Sequence, residues 1–464
     1  MSTAIHTLPH LSQTPDCLHN TAHRDRISRL TLRQWISFAT TLAAATVMTV
    51  ACADAPTAIR TAPVDPSASV AIATAGPSNY TIVDLGTLGG SFSIAFDINN
   101  AGRVSGAANT SDENQHAFAW INGHMTDLGT LGGANSQGSG RTDRPELAIL
   151  SETADNDPLN ENFCGFNTAL VCRAGVWRRG VLRELPTLGG TNATALTTNV
   201  RGEIIGAAED GVLDASCVLP QKSHFQAVTW NRGEIKKLPP LPGDEVGFAL
   251  RANDNGQVVG SSGLCSNTTV SGLATGPHAV LWDHGSPINL GNLGDPSVNT
   301  AASINNRGEV IGGAGHSDGT LHPFLWTRKT GMRDLGLMSA DPADAMNIPF
   351  QNNDRSQIVG ASCDATQTNC RGYLWQNGVM TDLNDLLPPD SPLYIVLAQV
   401  INESGQISGL AVVNSTGQAH AFLATPTVGK RAPHTTQRRL QLPENVRKLL
   451  GKQFGKPFGR KRGS

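Results

Sequence analysis

Along residues 78–428 apolar and polar positions alternate with a period of two, in short runs broken by glycine and asparagine, which predicts strands rather than helices. The runs follow a fixed order. SIAFDIN (93–99) reads as a first strand, RVSGAA (103–108) as a second, HAFAW (116–120) as a third and HMTDLGTL (124–131) as a fourth. In HAFAW the alternation places His116, Phe118 and Trp120 on one face and alanines on the other. Large and small faces are then ready to stack on neighbouring sheets, and no single sheet can bury both of its own faces.

The set recurs at about 50 residues, a propeller-blade period. A turn element N-x-x-G-x-(V/I)-x-G joins the first two strands in NNAGRVSG (99–106), NVRGEIIG (199–206), NDNGQVVG (253–260), NNRGEVIG (305–312) and NESGQISG (402–409). NDRSQIVG (353–360) carries Ser356 in the first glycine slot, and a degenerate copy is expected to end at FCG (163–165). Asparagine opens such a turn and glycine takes its left-handed position. The third-strand element follows as RAGVW (173–177), QAVTW (226–230), HAVLW (278–282), HPFLW (322–326), RGYLW (371–375) and HAFLA (420–424). DLGTLGG (127–133) and its relatives starting at residues 184, 237, 289, 334 and 382 come next.

The pattern opens with a fourth-strand element, YTIVDLGTL (80–88), and ends on a third-strand element, HAFLATP (420–426). Seven complete sets follow only if the entering strand completes the last one. The expected fold is all-β, a seven-bladed β-propeller over residues 78–428, closed by pairing of the N-terminal strand with the last blade. An open β-solenoid is the rival. The HAF-W, N-x-x-G-x-V-x-G and DLGTLGG elements resemble the HAF family of bacterial extracellular repeat proteins. That resemblance covers nearly the whole repeat region and implies an extracytoplasmic tandem-repeat protein; it implies no reaction and no catalytic residue. The second copy departs most from it, with an insertion at 134–165.

The flanks change the picture. Residues 1–53 read as an export signal, with Arg24, Arg26, Arg29 and Arg33 ahead of the apolar run ISFATTLAAATVMTVA (36–51). Cleavage after Ala51-Cys52-Ala53 leaves a secreted chain, whereas TVAC (49–52) read as a lipobox makes Cys52 a lipidated first residue. Residues 54–77 form a linker. In an oxidising compartment the six remaining cysteines after Cys52 are disulfide candidates. Cys164 and Cys172 are close enough for a local bridge, as are Cys363 and Cys370; Cys217 and Cys265 are left, with their connectivity open. Metal binding is the rival reading of these thiols, but there is no C-x-x-C.

Charge divides the chain: residues 54–429 hold 20 basic and 35 acidic residues, a balance of −15, while 430–464 hold 11 basic residues and Glu444 alone. The acidic body argues against nucleic acid as a partner. The basic tail, 429–464, is disordered or forms a short helix over PENVRKLLGKQF, with Val446, Leu449, Leu450 and Phe454 on one side. It would attach to anionic lipid or cell-surface polymer, or dock on the acidic body.

Candidate chemistry has a plain scaffold explanation at each point. GTLGG lacks the following helix and the GK(S/T) of a phosphate loop. His116, His278, His322 and His420 sit at equivalent positions that a ring keeps apart, which makes them structural. Asp155 with Asp157 and Asp244 with Glu245 are carboxylate pairs without glycosidase geometry or EF-hand spacing, and G-x-S-x-G is absent. The reading is an exported, non-catalytic, monomeric repeat protein without cofactor or metal. It binds an extracellular macromolecule or cell-surface polymer, or builds the surface, with loops 134–165 and 207–224 supplying specificity. Membrane contact comes only through a lipid anchor or the tail. The alternative is a propeller-based lyase or hydrolase acting on an extracellular polymer.

Overall fold

The computed structural model describes residues 79–270, 275–338, 344, 346–364, 366–427 and 440–454. All of these lie within one compact unit, Ile72–Ser464. The export signal, the linker, Cys52 and the remaining tail residues lie outside the described residues.

The described residues are all-β apart from a 3-10 turn at Leu383–Leu386 and one helix, Glu444–Phe454. Its strands form up-and-down antiparallel meanders. Three four-stranded sheets run from Ser136–Ser139 to Val181–Glu184, from Ala193–Thr198 to Glu234–Lys237, and from Val246–Ala252 to Ser286–Asn289. Two eight-stranded sheets each contain two such meanders, joined by a single parallel pair, Leu321↔Met346 in one and Phe92↔Ala419 in the other. Tyr80–Asp84 lies antiparallel beside Ala419–Pro426, with Tyr80 opposite Pro426 and Asp84 opposite Phe422. The two ends of the repeat region are therefore hydrogen-bonded neighbours, as the order of its elements requires.

The turn motif explains itself in atoms. The first glycine holds a left-handed conformation, φ +78° at Gly102 and +84° at Gly202, and Ser356 adopts φ +56° in the same slot. The last glycine has a different reason. Six first strands carry a bulge opposite it, at Ala95/Asp97, Ala195/Thr197, Ala249/Arg251, Ala301/Ser303, Pro349/Gln351 and Ala398/Val400, whereas Ser136–Ser139 pairs without a shift. The bulge turns a carbonyl inward, so a Cβ at Gly106, Gly206 or Gly260 would overlap the oxygen of Ile94, Thr194 or Phe248.

The asparagine does more than open the turn. Asn199 Oδ1 accepts from the N–H of Arg201 and Glu203, and its Nδ2 donates to Asn253 O of the next repeat. The same bond runs from Asn253 to Asn305, Asn305 to Asn353, Asn353 to Asn402 and Asn402 to Asn99, at 2.9–3.0 Å. Asn99 reaches Thr142 O at 3.4 Å. A second, exposed series links Val200 N to Asp254, Asp254 N to Asn306, Asn306 N to Asp354, Asp354 N to Glu403 and Glu403 N to Asn100.

Between sheets the large face of one repeat packs on the small face of the one before. Val228 and Trp230 bury against Ala148 and Ala174, and Phe324 and Trp326 against Ala279 and Leu281. Phe118 and Trp120 pack on Ala421 and Leu423 at the other end of the chain. Trp230 Nε1 and Trp282 Nε1 donate to Pro186 O and Pro239 O of the preceding repeat, 2.8 and 2.6 Å.

One expectation needs correction. The degenerate turn of the second copy is not at residues 163–165 but between Ser136–Ser139 and Glu146–Asn156, where Thr142 stands in the asparagine place and its Oγ1 accepts from Arg144 N. Phe163–Gly165 belongs instead to the following loop, tied by the Cys164–Cys172 disulfide. The tail forms a helix at Glu444–Phe454, and it is docked. Leu442, Val446 and Leu450 are buried in one cluster with Phe92, Tyr394, Val396 and Val412, and Leu442 N donates to Thr368 O. Its apolar side is thus occupied by the protein itself, and Arg447 and Lys448 face solvent.

Candidate functional site

The repeat's reactive-looking side chains are spent on the scaffold. His116 Nδ1 bonds Asp127 at 2.8 Å, His322 bonds Asp334 at 2.8 Å, and His420 bonds Asp84 at 2.9 Å across the chain ends. The same slots hold Arg173 with Glu184 and Arg371 with Asp382. Where Asn289 replaces the acid, His278 turns to Asp244 instead, at 2.9 Å. The acid of D-L-G also accepts the N–H two residues on, Gly86, Gly129 or Gly336, and so caps the exit turn. Burial raises the pKa of Asp84, but the bonds from His420 and Gly86 N–H outweigh it and leave the carboxyl below its ordinary range.

The cysteines form three disulfides, Cys164–Cys172, Cys217–Cys265 and Cys363–Cys370. Cys217–Cys265 is the one that joins two repeats. Its presence removes both thiolates from a group with Asp214 and His224 that has metal-ligand spacing. His316, His322 and Asp334 form a second such group, but the two imidazoles stack face to face, 4.4 Å apart and 5° from parallel. Their in-plane lone pairs therefore do not converge on one ion. No helix among the described residues is long and apolar enough to cross a membrane.

What the scaffold leaves over is the space that the first strands face. Each bulge shifts the strand register by one residue, and the residues at the shifts, Phe96, Leu196, Leu250, Ala302, Phe350 and Gln399, all line a cavity of about 290 Å³. Its floor lies beside the asparagine turns. There Arg251 reaches across to fully buried Asp97 at 2.9 Å, and Thr197 and Ser139 donate to the same carboxylate oxygen at 2.7 and 3.1 Å. Away from the floor the cavity continues into a mouth of about 420 Å³, sharing Phe96, Gln137, Leu150, Leu196 and Val270 with it. Both volumes suit a small-molecule site.

The mouth is lined by Asn109, Gln115, Asn135, Asn167 and Thr194 among apolar groups, and by Leu449 of the tail helix. Glu113 is its carboxylate; bonds from Asn109 and Ser91 hold its pKa below the usual range. Of the loops expected to supply specificity, 134–165 contributes Asn135, Gln137 and the Phe163–Gly165 segment, whereas 207–224 contributes none of the lining.

That second loop serves a buried carboxylate cluster. Asp157, Glu161 and Glu209 surround Asn192, whose Nδ2 donates to Asp157 at 2.8 Å and Glu209 at 3.2 Å. Glu161 accepts from Lys222 N and Ser223 N, and Gln221 Nε2 donates to Glu209 at 2.9 Å. Burial, and then the neighbouring Glu161, push Glu209 up to about 8, so at neutral pH it carries a proton. The cluster fastens the insertion of the second repeat to the third and lies away from the cavity lining. Of the expected pairs, Asp155 is exposed while Asp157 is buried, and Asp244 and Glu245 are engaged by His278 and Cys265 N.

Sequence reasoning placed the histidines, the repeat tryptophans and the two local disulfides, left Cys217 and Cys265 open, and missed the cavity. Its one signal is the residue three places before each turn asparagine, apolar in five copies: Phe96, Leu196, Leu250, Ala302 and Phe350.

No family model matches the chain, and no curated protein does. Solved structures similar to it include a Mycobacterium tuberculosis puromycin-hydrolysing peptidase (9% identity, TM-score 0.42, 74% of this chain and 56% of that one) and TolB from Acinetobacter baumannii (12%, 0.36, 70% and 64%). The WD40 β-propeller domain of Doa1 is another (13%, 0.42, 75% and 98%). The chain thus spans less than two thirds of the first two. At these scores the likenesses carry no function to it, and the fold rests on its own strand pairing.

Proposed function

We propose that this chain is an exported HAF-type repeat protein folded as a closed seven-bladed β-propeller, a non-catalytic binding module whose ligand enters the central channel at the mouth opposite the asparagine turns. Closure is supported by the Tyr80–Asp84 pairing, the Asn402 to Asn99 bond and the His420–Asp84 pair, each made between chain ends where other repeats make it locally or with a neighbour. Export is supported by the three disulfides, which need an oxidising compartment. The observation that carries binding is the cavity itself. Its half-buried apolar residues Phe96, Leu196, Leu250 and Ala302 turn into that cavity.

The test is a retention screen of the exported body against cell-wall polymers, extracellular polysaccharides, peptides and lipids. It is run on the unaltered protein and on Ala302→Trp, which fills the channel without touching the turns. A ligand retained by the first and lost by the second supports the reading. A ligand retained equally by both places binding outside the channel and refutes it, as does cleavage of the retained polymer at an undiminished rate in Ala302→Trp.

A further inference from the structure

Resting on the channel reading above, we infer that the ligand is a single-chain amphiphile, its aliphatic chain running down the channel and its polar head held at the mouth. The walls select the chain. Phe96, Leu196, Leu250, Val298, Ala302 and Ile348 make most of the lower cavity's wall hydrocarbon, with a smaller polar share that includes Gln137 and Gln399, and an aliphatic chain covers such a wall without burying unpaired polar groups of its own.

The floor fixes which end goes in. Asp97 and Arg251 neutralise each other, and Asp97 is already saturated by Thr197, Ser139 and Arg251. An anionic head driven to the floor would meet a buried carboxylate whose cation is taken. The mouth has one carboxylate too, Glu113, already bonded by Asn109 and Ser91, but it sits among amides and below a basic helix. Asn109, Gln115, Asn135 and Asn167 present amides there, and the helix that brings Leu449 to the mouth turns Arg447 and Lys448 to solvent. Because Val446 and Leu450 are buried against the body, this amphipathic helix has no apolar face left to enter a bilayer. Lys448 is paired with Glu444 at 2.9 Å, so Arg447 is the cation this helix offers an anionic head, and a single mouth accommodates one chain.

The experiment titrates the purified full chain with dodecanoate below its critical micelle concentration, with hexanoate and with dodecyl maltoside monomer, by native mass spectrometry and calorimetry. Dodecanoate is expected to bind one to one and hexanoate at least tenfold more weakly. Ala302→Trp and the volume-conserving Leu196→Gln should each weaken dodecanoate at least tenfold, with unchanged circular dichroism. Arg447→Glu with Lys448→Glu should weaken dodecanoate severalfold and leave the maltoside unchanged. Equal affinity for hexanoate and dodecanoate, more than one chain bound, or binding indifferent to both channel variants overturns the proposal. If neither amphiphile binds while another ligand binds and is lost in Ala302→Trp, the amphiphile is refuted and the channel site stands; if no ligand responds to Ala302→Trp, both fall.

Discussion

Glu209 gives the account a signature in pH. Its carboxyl is buried against Glu161 and pushed up to about 8 from an ordinary 4.5, with burial the larger cause. The raised value means that the folded chain holds this proton where the unfolded chain has lost it. The stabilising effect is complete below pH about 4.5 and is lost progressively as pH rises to about 8. The slope in that window approaches about 1.4 kcal/mol per pH unit, so on the order of 3–5 kcal/mol separates its ends. Glu209→Gln keeps the neutral shape and cannot ionise. Thermal unfolding of both proteins from pH 5 to pH 9 should show the unaltered chain falling progressively below the variant. Histidine titrations, shared by both, cancel in the difference. Parallel curves would refute the reasoning, because they would mean that Glu209 ionises normally in the fold.

The other predictions concern the scaffold. Replacing Cys217 and Cys265 by serine opens a loop of 48 residues between repeats and should cost about 4 kcal/mol by loop entropy, seen as a lower unfolding midpoint; an unchanged midpoint contradicts the bridge. Gly260→Ala places a methyl group on Phe248 O and should destabilise by about 1–3 kcal/mol, whereas Gly123→Ala, at an open left-handed turn, should cost about 1 kcal/mol. Asn353→Ala removes a buried bond to Asn402 O together with the turn's own acceptor and should raise amide exchange in both repeats; exchange raised in one alone would separate the turn from the clamp.

Much of the architecture was legible because it is written in local chemistry. A left-handed turn needs glycine, a two-residue period needs a strand, and a fourth-strand element that precedes every first strand needs a partner at the far end. The channel was not legible, because a bulge hides its residue inside an ordinary strand pattern: SIAFDIN gives no sign that Phe96 leaves the ladder. The asparagine clamp was half legible. The turn explains Oδ1 of Asn253, but where Nδ2 goes depends on a neighbour about 50 residues away. Arg251 and Asp97 lie 154 positions apart, and only the fold brings them together. The second copy misled because its turn lost the asparagine that marks the others, and the tail stayed open between lipid, polymer and the body because amphipathicity alone does not say which surface covers the apolar side.

Ring closure is tested most directly by joining the chain ends where they meet. Thr81 and Thr425 stand opposite each other in the antiparallel pair. With Thr81→Cys and Thr425→Cys in the full chain, mild oxidation should yield one new disulfide, recovered by peptide mapping as a link between these two positions. A chain that keeps its three native disulfides yet leaves both introduced thiols free contradicts the closed ring.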